Sequence, residues 1–179
     1  MSGSLTGINL GPRLDEIAGR IPLDGSLVDV GCDHGHLPIF LLLSGKIKHA
    51  IAVDLRALPL QKTIDLAKFH SISSNQFQAI ESNGLKSVLN LEGKTIVVAG
   101  MGGMRISKIL TQSASRLSAV SSLVLQPNTD TMRLRHCLSD LGFLIVDEAM
   151  CLERGKRYTV IEAKWDPQCQ PLSEREMFL

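Results

Sequence analysis

Between Asp29 and His36 the chain reads Asp-Val-Gly-Cys-Asp-His-Gly-His, which places two carboxylates, a thiol, two imidazoles and two glycines within eight residues. Two chemistries compete for such a cluster. Cys32, Asp33, His34 and His36 are all metal-ligand types, so a metal centre is one reading. The other is a ligand-binding turn, in which Gly31 lets the backbone turn sharply and Gly35 lets it come close to a bound molecule. A metal site needs ligands converging from elsewhere in the chain. The other histidines do not supply them: His49 opens a predicted strand, His70 closes a helix and His136 lies inside one. No metal is therefore expected, and the bland alternative is a glycine turn with ordinary capping acids.

For a ligand turn, the acid in its middle is informative. Asp33 would repel a pyrophosphate, which argues against NAD, FAD or ATP. It suits S-adenosylmethionine, which has no phosphate and carries a positive sulfonium and an amino group. Asp54, about twenty residues further on, is placed to hold two ribose hydroxyls.

These residues need a scaffold, and apolar periodicity predicts one. Helices are expected over Leu10–Ile21, His36–Ser44, Ala57–His70, Met104–Gln112 and Asp130–Leu141, the last ended by Gly142. Strands are expected over Ser26–Val30, His49–Asp54, Gln76–Glu81, Thr95–Ala99 and Ser122–Gln126. The rhythm then changes: Phe143–Cys151 and Tyr158–Lys164 are consecutive strands joined through an Arg-Gly-Lys turn, a hairpin. Strands alternating with helices predict a mostly parallel α/β sheet. The closing hairpin adds an antiparallel strand, which resembles the Rossmann-like class I methyltransferase sheet rather than a dehydrogenase.

In such a sheet, ligands bind beyond the carboxyl ends of the strands, where strand order reverses. The polar and glycine residues fall there. Gly31 to Gly35 follow the first strand, Asp54 ends the second, and Asn83 and Gly84 follow the third. Gly100 to Met104 follow the fourth, and Gln126-Pro127-Asn128 end the fifth. The Asp/Asn-Pro-Pro-Tyr/Phe motif of many exocyclic-amine methyltransferases is absent after the fourth strand.

Composition sets limits. The chain has 179 residues, 44% hydrophobic and 21% charged, which suits one folded domain with an aliphatic core. The net charge of +1 excludes a bulk basic character but not a local basic patch for RNA. Cys32, Cys137, Cys151 and Cys169 form no Cys-x-x-Cys pair and fit a reducing compartment. No signal-peptide pattern is seen, and the apolar run Leu37–Leu43 is too short to span a bilayer. A cytoplasmic protein with no membrane partner is expected.

The segments "DVGCDHGHLP", "AVD", "NGL", "VAGMGG", "LQPN" and "GKRYTVI", in this order, make the chain similar to the bacterial tRNA (adenine-22-N1)-methyltransferase family. The resemblance runs from Leu10 to Lys164. It implies S-adenosyl-L-methionine as cofactor, tRNA as partner and N1 of an adenosine as methyl acceptor. Asp33 then matches the acid proposed for catalysis. Gly31, Asp33, Asp54, Asn83, Gly84, Gly100 and Met101 match cofactor-facing positions, with Cys32, His34, Leu55 and Gly102 beside them. Arg13, in the Arg-Leu pair of an N-terminal helix, is assigned to the substrate along with His36, Gln126 and Asn128. The chain carries His36 where family members commonly have tyrosine. Residues 1–165 are expected to form the methyltransferase domain, and 166–179 a tail leading into a C-terminal helical domain.

Methyl transfer to N1 needs alignment above all, since the methyl is already activated and N1 has a free lone pair. Asp33 would stabilise the charge arriving on the adenine or accept an N6 proton. Gln126 and Asn128 would either hydrogen-bond the Watson–Crick edge or cap strand ends. Arg13, Arg105, Lys108, Arg133 and Arg135 are the expected RNA-facing cations. Two alternatives stay open: a cofactor-binding module without activity, and a small-molecule methyltransferase.

Overall fold

The computed structural model describes residues 7–169; residues 170–179 of the expected tail lie outside the described residues. The strands are β1 (Gly25–Val30), β2 (Ile47–Asp54), β3 (Phe77–Glu81), β4 (Thr95–Met101), β5 (Ser122–Pro127), β6 (Phe143–Glu153) and β7 (Lys156–Trp165). They form one sheet in the order β3-β2-β1-β4-β5-β7-β6. The first five are parallel, and β7 runs antiparallel to both β5 and β6. The strand order reverses between β1 and β4, so the crevice for a ligand falls there.

Helices cover both faces. They are α1 (Gly11–Arg20), α2 (His36–Leu43), α3 (Ala57–Phe69), α4 (Gly103–Thr111), α5 (Ala114–Leu117) and α6 (Thr131–Asp140). Alternation along β1 sorts the two cores. Leu27 packs with Ile17 of α1, Leu41 of α2 and Leu60 of α3. Val28 and Val30 pack with Ile106 of α4, Leu117 of α5 and Leu134 of α6. α2 is apolar nearly all round and is buried from Leu37 to Leu42, as a helix pressed between layers must be. Pro38 is tolerated in its first turn, where the backbone N–H has no helical partner.

Two departures from the expected elements bear on the site. β4 continues through Gly100 and Met101 instead of stopping at Ala99. Its register with β5 shifts between Ala99 and Met101, and Gly100, at φ 74°, is the inserted residue. Such a bulge turns a strand end without ending it. The hairpin strands are also longer than expected. They are joined by Arg154 and Gly155 alone, at φ 49° and 75°, the two left-handed positions of a tight hairpin turn. Because β6 runs in the same direction as β1, the hairpin tip lies at the carboxyl edge of the sheet. The short helix α5 was not anticipated either.

Candidate functional site

A cavity of about 720 Å³ opens at the carboxyl edge over β1, β2 and β4. This lies within the usual range for a small-molecule site. Its floor is the turn after β1. The N–H groups of Gly31 and Cys32 both donate to the Val53 carbonyl, at 2.7 and 3.2 Å, and Gly35 N–H donates to the Cys32 carbonyl at 2.8 Å. The turn is thereby folded across the end of β2. Gly31 is held at φ 78°, a left-handed conformation that a side chain would strain, and a Cβ there would have to displace Cε of Met101, 2.3 Å away. At Gly35 (φ 72°) a Cβ would come within 2.2 Å of Thr63 Cγ2. Asp33 itself is left-handed, at φ 51°, a conformation aspartate tolerates better than most residues. The Thr63 hydroxyl donates to its carbonyl at 3.2 Å. That locked backbone leaves the Asp33 carboxylate two-thirds exposed at the cavity, 3.8 Å from Nε2 of His34.

Two further acids sit deeper. Asp54, at the end of β2, is almost wholly buried and accepts the Arg56 N–H at 2.9 Å. Asp29 is buried on β1, and its pKa is raised to about 7. Loss of water is the main cause, repulsion from Asp54 adds to it, and Arg13 partly offsets both. A cationic ligand bound here would relieve this repulsion, whereas a polyphosphate would aggravate it. The residues therefore fit a nucleoside cofactor bearing positive charge. Leu55, Ser82, Asn83, Gly84, Gly100 and Met101 complete this side.

Arg13 of α1 forms the opposite wall. Its Nε lies 3.7 Å from Glu153, its guanidinium stands 5.7 Å over the Tyr158 ring, and Nη1 donates to Gln126 Oε1 at 3.0 Å. Asn128 and His36 also line the cavity.

Two expected contacts are corrected. Gln126 does not present an amide to the cavity, because its side chain is fully buried. Oε1 accepts from Arg13 and from the Gly100 N–H, each at 3.0 Å. Nε2 donates to the Pro127 carbonyl and to Asn128 Oδ1, also at 3.0 Å. With donors on one side and acceptors on the other, the amide orientation is determined and its capacity is filled. Gly102 does not line the cavity; it caps α4, where a Cβ would meet Thr129 Oγ1 at 3.0 Å.

The thiol of Cys32 lies 3.7 Å from the Thr63 hydroxyl, and burial pushes its pKa up to about 12. That burial favours the protonated thiol over the reactive thiolate. Among the described residues, no group of three or more His, Cys, Asp and Glu could hold a metal ion. Of the expected RNA-facing cations, Arg105 lines the cavity, but Arg135 is held by both oxygens of Glu148, at 2.8 and 2.9 Å.

Sequence reasoning assigned no role to Asp29, Arg56, Ser82, Glu153 or Tyr158, which all line the cavity. The signal for Asp29 was present, since an acid that shares a strand face with Leu27 in a buried strand must face something polar.

The fold, with a hairpin-closed parallel sheet and an acidic crevice at its switch point, is that of a class I methyltransferase. The family model for the "Methyltransferase domain" matches residues 10–161. Over 157 residues the chain is 30% identical to the tRNA (adenine(22)-N(1))-methyltransferase of Bacillus subtilis, covering 88% of this chain and 66% of that protein. It therefore spans just under two thirds of that relative's length. The crystal structure of a putative tRNA (m1A22) methyltransferase from Streptococcus pneumoniae superposes with a TM-score of 0.88 at 33% identity, covering 95% of this chain and 76% of that one. A second structure of that protein, in complex with S-adenosyl-L-methionine, superposes with a TM-score of 0.82 at 33% identity, covering 93% and 77%. The chain belongs to the tRNA (adenine-22-N1)-methyltransferase family.

Proposed function

We propose that this protein binds S-adenosylmethionine in the crevice over β1 and β2 and methylates N1 of adenosine 22 in tRNA, and that residues 1–165 are the domain that does so. The observation that carries the reading is the acid set: Asp29 and Asp54 buried in the floor, with Asp33 exposed at the mouth. When bound, S-adenosylmethionine supplies a methyl group activated by a positive sulfur.

The chain's own residues then have distinct tasks. Asp54 accepts hydrogen bonds from ribose hydroxyls. Asp29 answers positive charge with a carboxylate. The backbone of Gly31, Asn83, Gly84, Gly100 and Met101, with Cys32, His34 and Leu55 beside it, forms the cofactor walls. Asp33 touches the adenine, stabilising the positive charge that accumulates as N1 is alkylated and taking an N6 proton afterwards. His36 and Asn128 are pocket wall to the base, and Arg13 borders it from α1. N1 lies on the Watson–Crick edge, so the adenosine must be unpaired or flipped to enter. The S-adenosyl-L-methionine complex of the Streptococcus pneumoniae relative supports the cofactor, and the name of the Bacillus subtilis relative supports the acceptor atom.

The test is to incubate the protein with methyl-labelled cofactor and unmodified bulk tRNA, then digest to nucleosides. Label in 1-methyladenosine is expected. Cofactor binding without transfer would identify a binding module instead, and label confined to small molecules would move the substrate class. The tRNA-methylating relative in Bacillus subtilis supports a cytoplasmic location; no helix of the described residues is long and apolar enough to cross a membrane.

A further inference from the structure

The tip of the β6–β7 hairpin carries charge that the cavity does not use. Arg154, Lys156 and Arg157 are all exposed. None of the three is in an ion pair with any described residue. Three cations within four residues stand out on a chain whose net charge is +1. Like charges so close repel one another, and the nearest acid in sequence, Glu153, is turned toward Arg13. Elsewhere the arginines nearby are committed: Arg135 to Glu148, and Arg20 to Glu16 and Asp147. The tip is thus a local positive pole left open to solvent.

Its placement is as informative as its charge. Glu153 and Tyr158, which bracket the cluster, both line the cavity. The two-residue turn fixes the tip relative to that cavity, and β6 pairs with β7 from Phe143↔Trp165 to Glu153↔Lys156. Phosphates flanking a base inserted into the cavity would fall on its rim, which this tip borders through Glu153 and Tyr158.

We propose that the hairpin tip grips the phosphate backbone of the RNA whose base enters the cavity, through Arg154, Lys156 and Arg157. This rests on the reading of the site as a tRNA methyltransferase. The contact positions the RNA and carries no sequence information, as phosphate contacts do. It should appear in the salt dependence of binding, because each neutralised phosphate releases counterions.

The experiment uses the whole chain and compares the triple variant Arg154→Gln, Lys156→Gln, Arg157→Gln with a control that removes the same charge, Lys48→Gln, Lys62→Gln, Lys68→Gln, in which Lys48 also gives up its exposed pair with Asp24 at 3.1 Å. The control residues lie on β2 and α3. Each protein is titrated with tRNA across a series of salt concentrations, with S-adenosylmethionine affinity and thermal midpoint measured in parallel. The tip variant is expected to lose about tenfold to a hundredfold in tRNA affinity at low salt and to flatten the log–log salt slope by about 2 to 3. Its cofactor affinity and thermal midpoint should match wild type, and the control should bind tRNA as wild type does. Wild-type tRNA affinity and slope in the tip variant would overturn the proposal, and so would an equal loss in the control. Failure of the underlying reading looks different: wild-type protein would then bind tRNA without forming 1-methyladenosine.

Discussion

The two walls of the cavity are built by different means. The cofactor wall is made by backbone: turns at the ends of β1, β3 and β4, set by Gly31, Gly35, Gly84 and Gly100 in left-handed conformations. Each turn is local in sequence. The facing wall is made by side chains drawn from distant positions: Arg13, Glu153 and Tyr158, with Gln126 buried behind Arg13. A backbone cradle shows in a short motif, whereas a side-chain network exists only after the sheet has formed. Gln126 joins the two, because one oxygen accepts from Gly100 on the first wall and Arg13 on the second.

This contrast can be broken by substitution. The largest effect is expected at the exposed acid of the cofactor wall. Asp33→Ala should lower single-turnover methyl transfer by about 10²–10³-fold, the scale of removing one preorganised electrostatic group. Calorimetry should find cofactor affinity within about threefold of wild type. Equal transfer in the variant would remove Asp33 from the chemistry.

Gln126→Met should act on both walls at once. It leaves the Gly100 N–H and the Arg13 guanidinium without their buried acceptor, a loss of about 1–3 kcal/mol. The thermal midpoint should fall, and transfer should fall by about tenfold to a hundredfold. Gln126→Glu keeps the acceptor and should recover part of the transfer. If Gln126→Met lowers the midpoint while transfer by the folded fraction is normal, the residue serves stability alone.

The pH response should come from the floor. A cationic cofactor favours ionised Asp29, whose pKa in the free protein is about 7. Cofactor affinity should therefore rise about tenfold between pH 6 and pH 8 and flatten above. The same shift sets a stability slope. A raised carboxyl pKa means that the folded state holds the proton more tightly than the unfolded chain. Asp29 thus costs stability progressively as pH climbs from about 4 to about 7. Asp29→Asn should flatten both profiles, and an unchanged affinity profile in that variant would assign the titration elsewhere.

The smallest effect is expected at Glu153. Its pair with Arg13 is about one quarter exposed on both sides, so Glu153→Gln should cost under about 1 kcal/mol. Transfer should drop by about threefold, seen as a higher KM for tRNA with cofactor affinity unchanged. A large loss of cofactor affinity would mean that the walls are not separate.

The same contrast explains what could be read from the sequence. The alternation of strands and helices, the hairpin, and the glycine and acid residues at strand ends were legible, because each depends on local periodicity or turn chemistry. Gln126 is legible as the polar end of β5, but its task stays open in the sequence, between a base contact and a strand-end cap. Nothing local distinguishes an amide facing a ligand from one holding a neighbouring wall. Glu153 and Arg13 lie 140 residues apart, and only the direction of β6 brings them together. That direction follows from the hairpin: if β7 is antiparallel to β5, β6 must run with the parallel strands and end at the site. The extension of β4 was hidden because Gly100 looks like a strand terminator and is instead a bulge.

If this cavity methylates one particular base of a folded RNA, replacing that base must abolish the reaction. The most direct measurement pairs two transcripts of the same tRNA, one with A22 and one with A22 replaced by G. Each is incubated with the protein and methyl-labelled cofactor, and the methylated position is mapped by reverse-transcription arrest. Label and arrest are expected at position 22 in the first transcript and neither in the second. Equal labelling of both transcripts, or arrest at another adenosine, would contradict methylation of that one base.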